Sequence, residues 1–144
     1  MSAEPRNAAS EMVRSRLPLL GDPAAVRLLA DELSDDFSAE DRRRLIGLPR
    51  IGRDDWAEAV NSWSELGAGR GRSSLAQVIA VRGERLVLFR ARATYPDGRE
   101  VESLGLAQFD ELVQRLQRSM QFDPDDVDAA LSELDSMCLA LDDE

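Results

Sequence analysis

Two kinds of hydrophobic spacing divide this chain. In the first half and again after residue 123, apolar side chains recur three and four residues apart, as on helices with one buried face. Between residues 75 and 110 they alternate or run on, as in strands. Residues 1–20 read as an N-terminal helical extension, with Met12, Val13 and Leu17 at helical spacing before Pro18 and a frayed start. Asp22-Pro23 is a helix start, an N-cap acid followed by Pro at the first helical position. That helix is predicted to run to Phe37, with Val26, Leu29, Ala30 and Leu33 on one face. Residues 38–52 are polar and predict a loop or short strand, with a turn at 47–49. Residues 53–66 predict an amphipathic helix with Trp56, Val60 and Trp63 at i, i+4 and i+7, and Gly67, Gly69 and Gly71 form its exit.

Strands are predicted at 75–81, 85–95 and 101–110, joined by turns at Arg82-Gly83-Glu84 and Tyr95-Pro96-Asp97-Gly98. The second turn sets a register: Tyr95 faces Arg99, Arg92 faces Glu102, Ala91 faces Ser103, Phe89 faces Gly105 and Val87 faces Ala107. One face of the pair then holds small residues around Phe89. The other brings Leu86, Leu88, Leu104 and Leu106 together, with Arg90, Arg92 and Glu102 beside them. A contiguous leucine patch with a charged rim predicts a homodimer interface made by Leu86, Leu88, Arg90, Leu104 and Leu106. Residues 112–122 fit a strand and a helix equally. Asp123-Pro124 then opens a last helix, residues 123–139, whose buried stripe is Val127, Leu131, Leu134 and Cys138, with Leu141 just beyond. Helices, then strands, then a helix, without β-α-β alternation, define an α+β fold on an antiparallel sheet, in one domain spanning 1–144.

Composition removes whole classes of chemistry. The 144 residues include no histidine and no lysine, and all 18 basic residues are arginine. A Ser-His-Asp triad, a Cys-His pair and a lysine Schiff base are therefore impossible. One cysteine, Cys138, cannot form an internal disulfide; it sits on an apolar stripe as a core thiol. With no apolar leader or membrane-length run, the expectation is a cytoplasmic protein. The net charge is −10, and residues 119–144 hold nine acids and no arginine, which argues against nucleic acid and membrane surfaces as partners. No cofactor is expected.

Arg42-Arg43-Arg44 follows Asp36, Glu40 and Asp41, so it reads as a solvated, locally paired run before it reads as an anion site; alternation turns Arg43 away from its neighbours. The acids of 123–128 lack the spacing of a calcium loop and suit a helix cap. Acid–base catalysis would need a carboxylate in an apolar cavity, and Asp41 and Asp110 are best placed for it, with Tyr95 as a phenol.

Three stretches carry a resemblance: Asp41-Arg-Arg-Arg-Leu-Ile-Gly-Leu-Pro49 with the Trp56 helix, Gly83-Glu-Arg-Leu-Val-Leu-Phe89, and Phe122-Asp-Pro-Asp-Asp-Val-Asp-Ala-Ala-Leu-Ser-Glu-Leu-Asp135. Over roughly residues 22–141 the chain resembles the SnoaL-like domains of the nuclear transport factor 2-like superfamily, in their actinobacterial type. The resemblance implies a cone, a curved antiparallel sheet wrapped around N-terminal helices with a C-terminal helix. It also implies a pocket in the cone and frequent homodimers. The chain departs from that pattern at residues 110–116, where relatives have a tight Asp-Gly-type turn. In a cone, helix core and pocket wall are one surface. The candidate ligand-binding residues are accordingly Trp56, Val60, Trp63, Phe89, Ala91, Tyr95, Ser103 and Phe109. The expected function is a non-catalytic module taking a small apolar ligand or a protein partner as a homodimer. The alternative is an isomerase, cyclase or hydrolase using Asp or Tyr.

With no imidazole and a stripe-bound thiol, elemental analysis of protein purified without metal-affinity resin is expected to find no stoichiometric zinc, iron or copper. One equivalent of any of them would overturn this expectation.

Overall fold

The computed structural model describes residues 4–21, 29, 31–44, 48–56, 58–59 and 72–142. Its centre is the hairpin of β4 (Leu86–Thr94) and β5 (Glu100–Phe109). The register is the one the turn predicts, with Phe89 opposite Gly105, Ala91 opposite Ser103 and Val87 opposite Ala107. At the turn, Tyr95 and Arg99 bond through their backbones and the Gly98 amide donates to the Tyr95 carbonyl at 2.9 Å. Gly98 has φ 86°, the left-handed conformation that glycine reaches without a Cβ clash.

The hairpin grows on both sides. β3 (Arg72–Arg82) pairs antiparallel with β4, and β6 (Leu116–Phe122) pairs antiparallel with β5. The segment at 112–122 thus resolves to strand from Leu116. The departure at 110–115 is a wider turn in which the Asp110 carboxylate accepts from the Gln114 and Arg115 amides, with Val113 at φ 53°. β1 (Leu33–Asp41) lies beside β6 in parallel, and β2 (Leu48–Gly52) closes the far edge. The six-stranded order is β2-β1-β6-β5-β4-β3, so one parallel pair joins an otherwise antiparallel sheet.

β1 corrects one expectation and decides another. The helix predicted to reach Phe37 gives way to strand at Leu33, and of the loop or short strand expected from Ser38 it is the strand that forms, as the second half of β1. The polar residues Ser34, Asp35 and Asp36 fall in an irregularity: Leu33 pairs with Leu116, and the next partners are Ser38 and Arg118. Pro49 belongs to edge strand β2, at a register shift, where a missing N–H costs no ladder bond.

One face of the sheet is covered by the C-terminal helix, Val127–Asp142. Leu86, Leu88, Leu104 and Leu106 are at most 1% exposed there, packed with Met120, Phe122, Ala130, Leu134 and Met137. This corrects the proposed dimer interface: the leucines are buried within the chain and cannot be offered to a second copy. Arg90, placed in that interface, donates instead to the Pro124 carbonyl at 3.2 Å. The helix's stripe is also rotated from the expected one. Ala130, Leu134 and Met137 are buried, whereas Val127, Leu131, Cys138 and Leu141 pack partly buried around them.

The opposite face carries α1 (Ala8–Arg16) and the short 3₁₀ turn Leu17–Gly21. Ala9 and Val13 pack with Val78, Val87, Phe89, Ala107 and Phe109, so this helix is part of the core rather than an appended extension. Asn7 fixes it. Its side chain caps Ser10 N–H at 2.8 Å and donates to the Gly83 and Leu86 carbonyls, both at 2.9 Å, pinning the helix to the β3–β4 turn.

Leu134→Ala removes a fully buried side chain from the helix–sheet seam and is expected to destabilise the protein by ~2–5 kcal/mol. Leu131→Ala, at the half-buried flank, should cost clearly less. Urea denaturation midpoints of the two variants check the order; equal or inverted costs would refute this packing.

Candidate functional site

A cavity of about 210 Å³ lies between α1, β1 and the inner face of the sheet. Its walls are mainly apolar and rich in aromatics. Three of the chain's four phenylalanines, Phe37, Phe89 and Phe109, line it together with Trp56. Phe37 and Trp56 meet edge to face, with centroids 5.9 Å apart and planes at 76°. Phe37 comes from β1, and Trp56 from the helical residues 53–56 after β2.

The wall's shape depends on one glycine. Phe89 lies flat over Gly105 on the neighbouring strand, so close that a Cβ there would come within 2.3 Å of the ring tip. The aromatic therefore fills what a side chain would take, and Ala91, Ala93 and Ala107 beside it keep the surroundings open.

Polar groups at the cavity are few. Ser73 of β3, Ser103 of β5, Gln114, and Ser119 and Gln121 of β6 line it, and among the described residues none of their side chains has a hydrogen-bond partner; Gln121 is exposed. Arg16 and Glu32 also line it and pair with each other at 2.7 Å, with side chains 39% and 41% exposed. The pair ties the end of α1 to the start of β1.

Of the eight predicted ligand-binding residues, the structure brings Trp56, Phe89, Ala91, Ser103 and Phe109 together on this cavity. Val60 and Trp63 lie outside the described residues. Tyr95 does not line the cavity; it sits at the hairpin tip under the Arg99 guanidinium, 5.0 Å from ring centroid to Cζ. The two candidate acids are elsewhere too. Asp41 is clasped by Arg43, at 2.6 Å for the shorter contact, and Asp110 caps its turn. Sequence reading missed Phe37, Arg16 and Glu32, because Phe37 was assigned to a helix and nothing in the spacing joins residues 16 and 32. Ser119 and Gln121 become legible once β6 is a strand, since they alternate with buried Met120.

The Arg42–Arg44 run is paired locally only in part: Arg43 with Asp41 and Arg42 with Glu40 are neighbours in sequence, whereas the other partners are distant. Arg42 bonds Glu40 and Glu133, and Arg44 reaches Asp123, Asp125 and Asp126. Hydrogen bonding to Asp125, with the charges of all three acids, raises the Arg44 guanidinium above its usual range. Asp123, Asp125 and Asp126 offer oxygens within 4.8 Å of one another, and the single Arg44 guanidinium pairs with each of them. Asp36, away from the cavity, is held below the usual 3.8 by the Ser34 hydroxyl and, more weakly, by the Gln117 amide. Its contribution to stability is present above that ordinary value and fades as the carboxylate protonates in acid.

No family model and no curated protein sequence matches the chain. Solved structures do match in fold. A SnoaL-like family protein of Agrobacterium tumefaciens, proposed as an isomerase, superposes with TM-score 0.58 at 17% identity, over 77% of this chain and 94% of that one. The epoxide hydrolase/cyclase-like enzyme SalBIII, of pyran ring formation in polyether salinomycin, gives 0.62 at 13% identity, over 79% and 88%. An LEH-like epoxide hydrolase of M. tuberculosis gives 0.53 at 17%, over 80% and 75%. The fold is therefore the SnoaL-like, NTF2-like cone. Among the described residues, no helix is long and apolar enough to cross a membrane.

Gly105→Ala forces its methyl into the Phe89 ring and is expected to destabilise by ~1–3 kcal/mol through overpacking. Adding Phe89→Leu should recover most of that loss relative to Phe89→Leu alone, a coupling that a double-mutant cycle of unfolding free energies measures. Additive costs would mean that the two residues do not touch.

Proposed function

We propose that this protein is a small-molecule-binding module that takes an apolar ligand into the cone cavity and does so without catalysis. The observation that carries the reading is the cavity itself, an aromatic-walled space with a few convergent polar groups, which is the usual layout of a small-molecule site. The non-catalytic part is supported by where the acid–base candidates sit. Asp41 and Asp110 serve Arg43 and a turn, Tyr95 lies outside the cavity, and the lining carboxylate, Glu32, is half exposed and engaged by Arg16. General acid–base work calls for a carboxylate within reach of the reacting proton in a water-poor site. The enzymes among the structural neighbours share the fold, which does not carry their chemistry with it. A homodimer remains compatible with this reading, but through a surface other than the four leucines.

The neutral fluorophore N-phenyl-1-naphthylamine tests the proposal. Saturable binding at one equivalent per chain is expected, with loss of binding in Ala91→Trp, which fills the cavity while leaving the helix–sheet seam untouched. Far-ultraviolet circular dichroism confirms that the variant is folded. Absence of saturable binding, or binding that Ala91→Trp leaves unchanged, would sink the reading.

A further inference from the structure

The two ends of α1 are held unequally. At its start, the Asn7 side chain donates to the Gly83 and Leu86 carbonyls, the Ala9 amide to the Glu84 carbonyl at 3.0 Å and the Ala8 amide to the Glu84 carboxylate at 2.8 Å. At its end, one polar contact among the described residues reaches from the helix to the rest of the fold, the Arg16–Glu32 ion pair at 2.7 Å.

Glu32 stands on a fixed backbone. Its carbonyl accepts from the Leu116 amide at 3.1 Å, and the Arg115 guanidinium donates to the Asp31 and Leu33 carbonyls on either side, at 3.0 and 3.4 Å. The Asp110 carboxylate in turn accepts from the Arg115 amide. Residues 31–33 are thus tied to the turn before β6, whereas Arg16 is tied to them by side-chain charge.

The pair also stands at a rim. Both side chains line the cavity, yet they are 39% and 41% exposed, so each faces the cavity and the solvent at once. Met12 and Leu17 line the cavity on the helix side of the pair, and Leu29 and Leu33 on the other. An exposed ion pair is held weakly, because water solvates both charges when they part, so it opens and re-forms at little cost.

We infer that the Arg16–Glu32 pair is a latch on the mouth of the cavity. Closed, it bars the apolar passage between the end of α1 and residues 29–33; open, it lets an apolar molecule through. The inference rests on the cavity being a ligand site and adds how that site is reached. Arg16 swings because its helix end has no other polar hold, and Glu32 receives it because its backbone is fixed. A neutral ligand offers neither charge a partner, so the latch sets how fast the ligand exchanges rather than how tightly it binds.

Stopped-flow fluorescence of N-phenyl-1-naphthylamine with the full chain tests this. The probe is neutral, so salt has no charge on it to screen. Raising sodium chloride from about 20 mM to about 500 mM screens exposed charges. Association and dissociation rates of the unmodified chain should then both rise about two- to five-fold, the range that the strength of an exposed pair allows, and Kd should move less than either rate. Glu32→Gln keeps the side chain's size and removes its charge. At low salt it should exchange the probe as fast as the unmodified chain does at high salt, and it should lose the salt response. Arg16→Glu should speed exchange as well, and the swap of Arg16→Glu with Glu32→Arg should slow it again, which lost packing at residue 16 would not do.

Rates that stay level or fall as salt rises overturn the latch, since the probe then passes elsewhere. A Glu32→Gln variant that exchanges as slowly as the unmodified chain, or that responds to salt equally, overturns it too. A change confined to dissociation, with Kd shifting by the same factor, makes the pair a binding contact and not a latch. The salt response of the unmodified chain decides even if a variant fails to fold. If the probe binds and its rates ignore salt, the latch alone falls; if the probe does not bind, the cavity reading falls and the latch with it.

Discussion

Phe89 can lie over Gly105 only if the β4–β5 hairpin keeps its register, and both faces of the sheet follow from that pairing. Side chains alternate along a strand, so a slip of one residue would send every inward group outward. In the observed register Leu86, Leu88, Leu104 and Leu106 point together at the C-terminal helix, while Phe89, Ala91, Ser103 and Ala107 point together at the cavity. The Pro96-Asp97-Gly98 turn holds the register from one end. The absence of a side chain at 105 holds it from the middle, since the Phe89 ring needs a neighbour without a Cβ. The core and the candidate site are thus consequences of a single alignment.

The edges are secured differently. β1 has few apolar residues to bury, and its parallel pairing with β6 is broken where Ser34, Asp35 and Asp36 interrupt it. Polar bridges compensate. The Arg115 guanidinium donates to the Asp31 and Leu33 carbonyls, Gln117 reaches Asp36, and Arg42 and Arg44 connect the end of β1 to Glu133 and to the acids that open the C-terminal helix. Exposed ion pairs of this kind contribute little singly, ~0–1 kcal/mol. What they supply is direction: they set where a weakly apolar strand and an acidic helix start lie relative to each other.

This division explains what could be read from the sequence. The hairpin was legible because its turn chemistry and its alternation agree, and the aromatic–glycine pair followed from them. The C-terminal helix was legible from its apolar spacing, though it begins at Val127, after a turn closed by the Asp126 amide on the Asp123 carbonyl, and not at Asp123-Pro124, and its stripe apart from Leu134 was read one position off. Leu131 and Cys138 flank the true centre formed by Ala130, Leu134 and Met137. β1 was not legible. Leu33 continues the 3–4 spacing of the residues before it, and the acids after it resemble a loop, so nothing local marks a strand that is made by a distant partner. Phe37 and the Arg16–Glu32 pair went unseen for the same reason, since their positions on the cavity depend on where β1 ends up.

The leucine patch shows how two local readings can each be right and still lead to a wrong surface. Four leucines on one face of a hairpin must be covered, and a helix with an apolar stripe must be buried against something. Taken alone, the first requirement suggests a second copy of the chain. The second requirement can be met by the first, at no cost in association entropy, because the helix is tethered to the same sheet through β6 and the short 123–126 link. Intramolecular closure therefore prevails over dimerisation at this patch. With the outer face closed in this way, the inner face is left with more concave surface than α1 fills, and that surplus is the cavity.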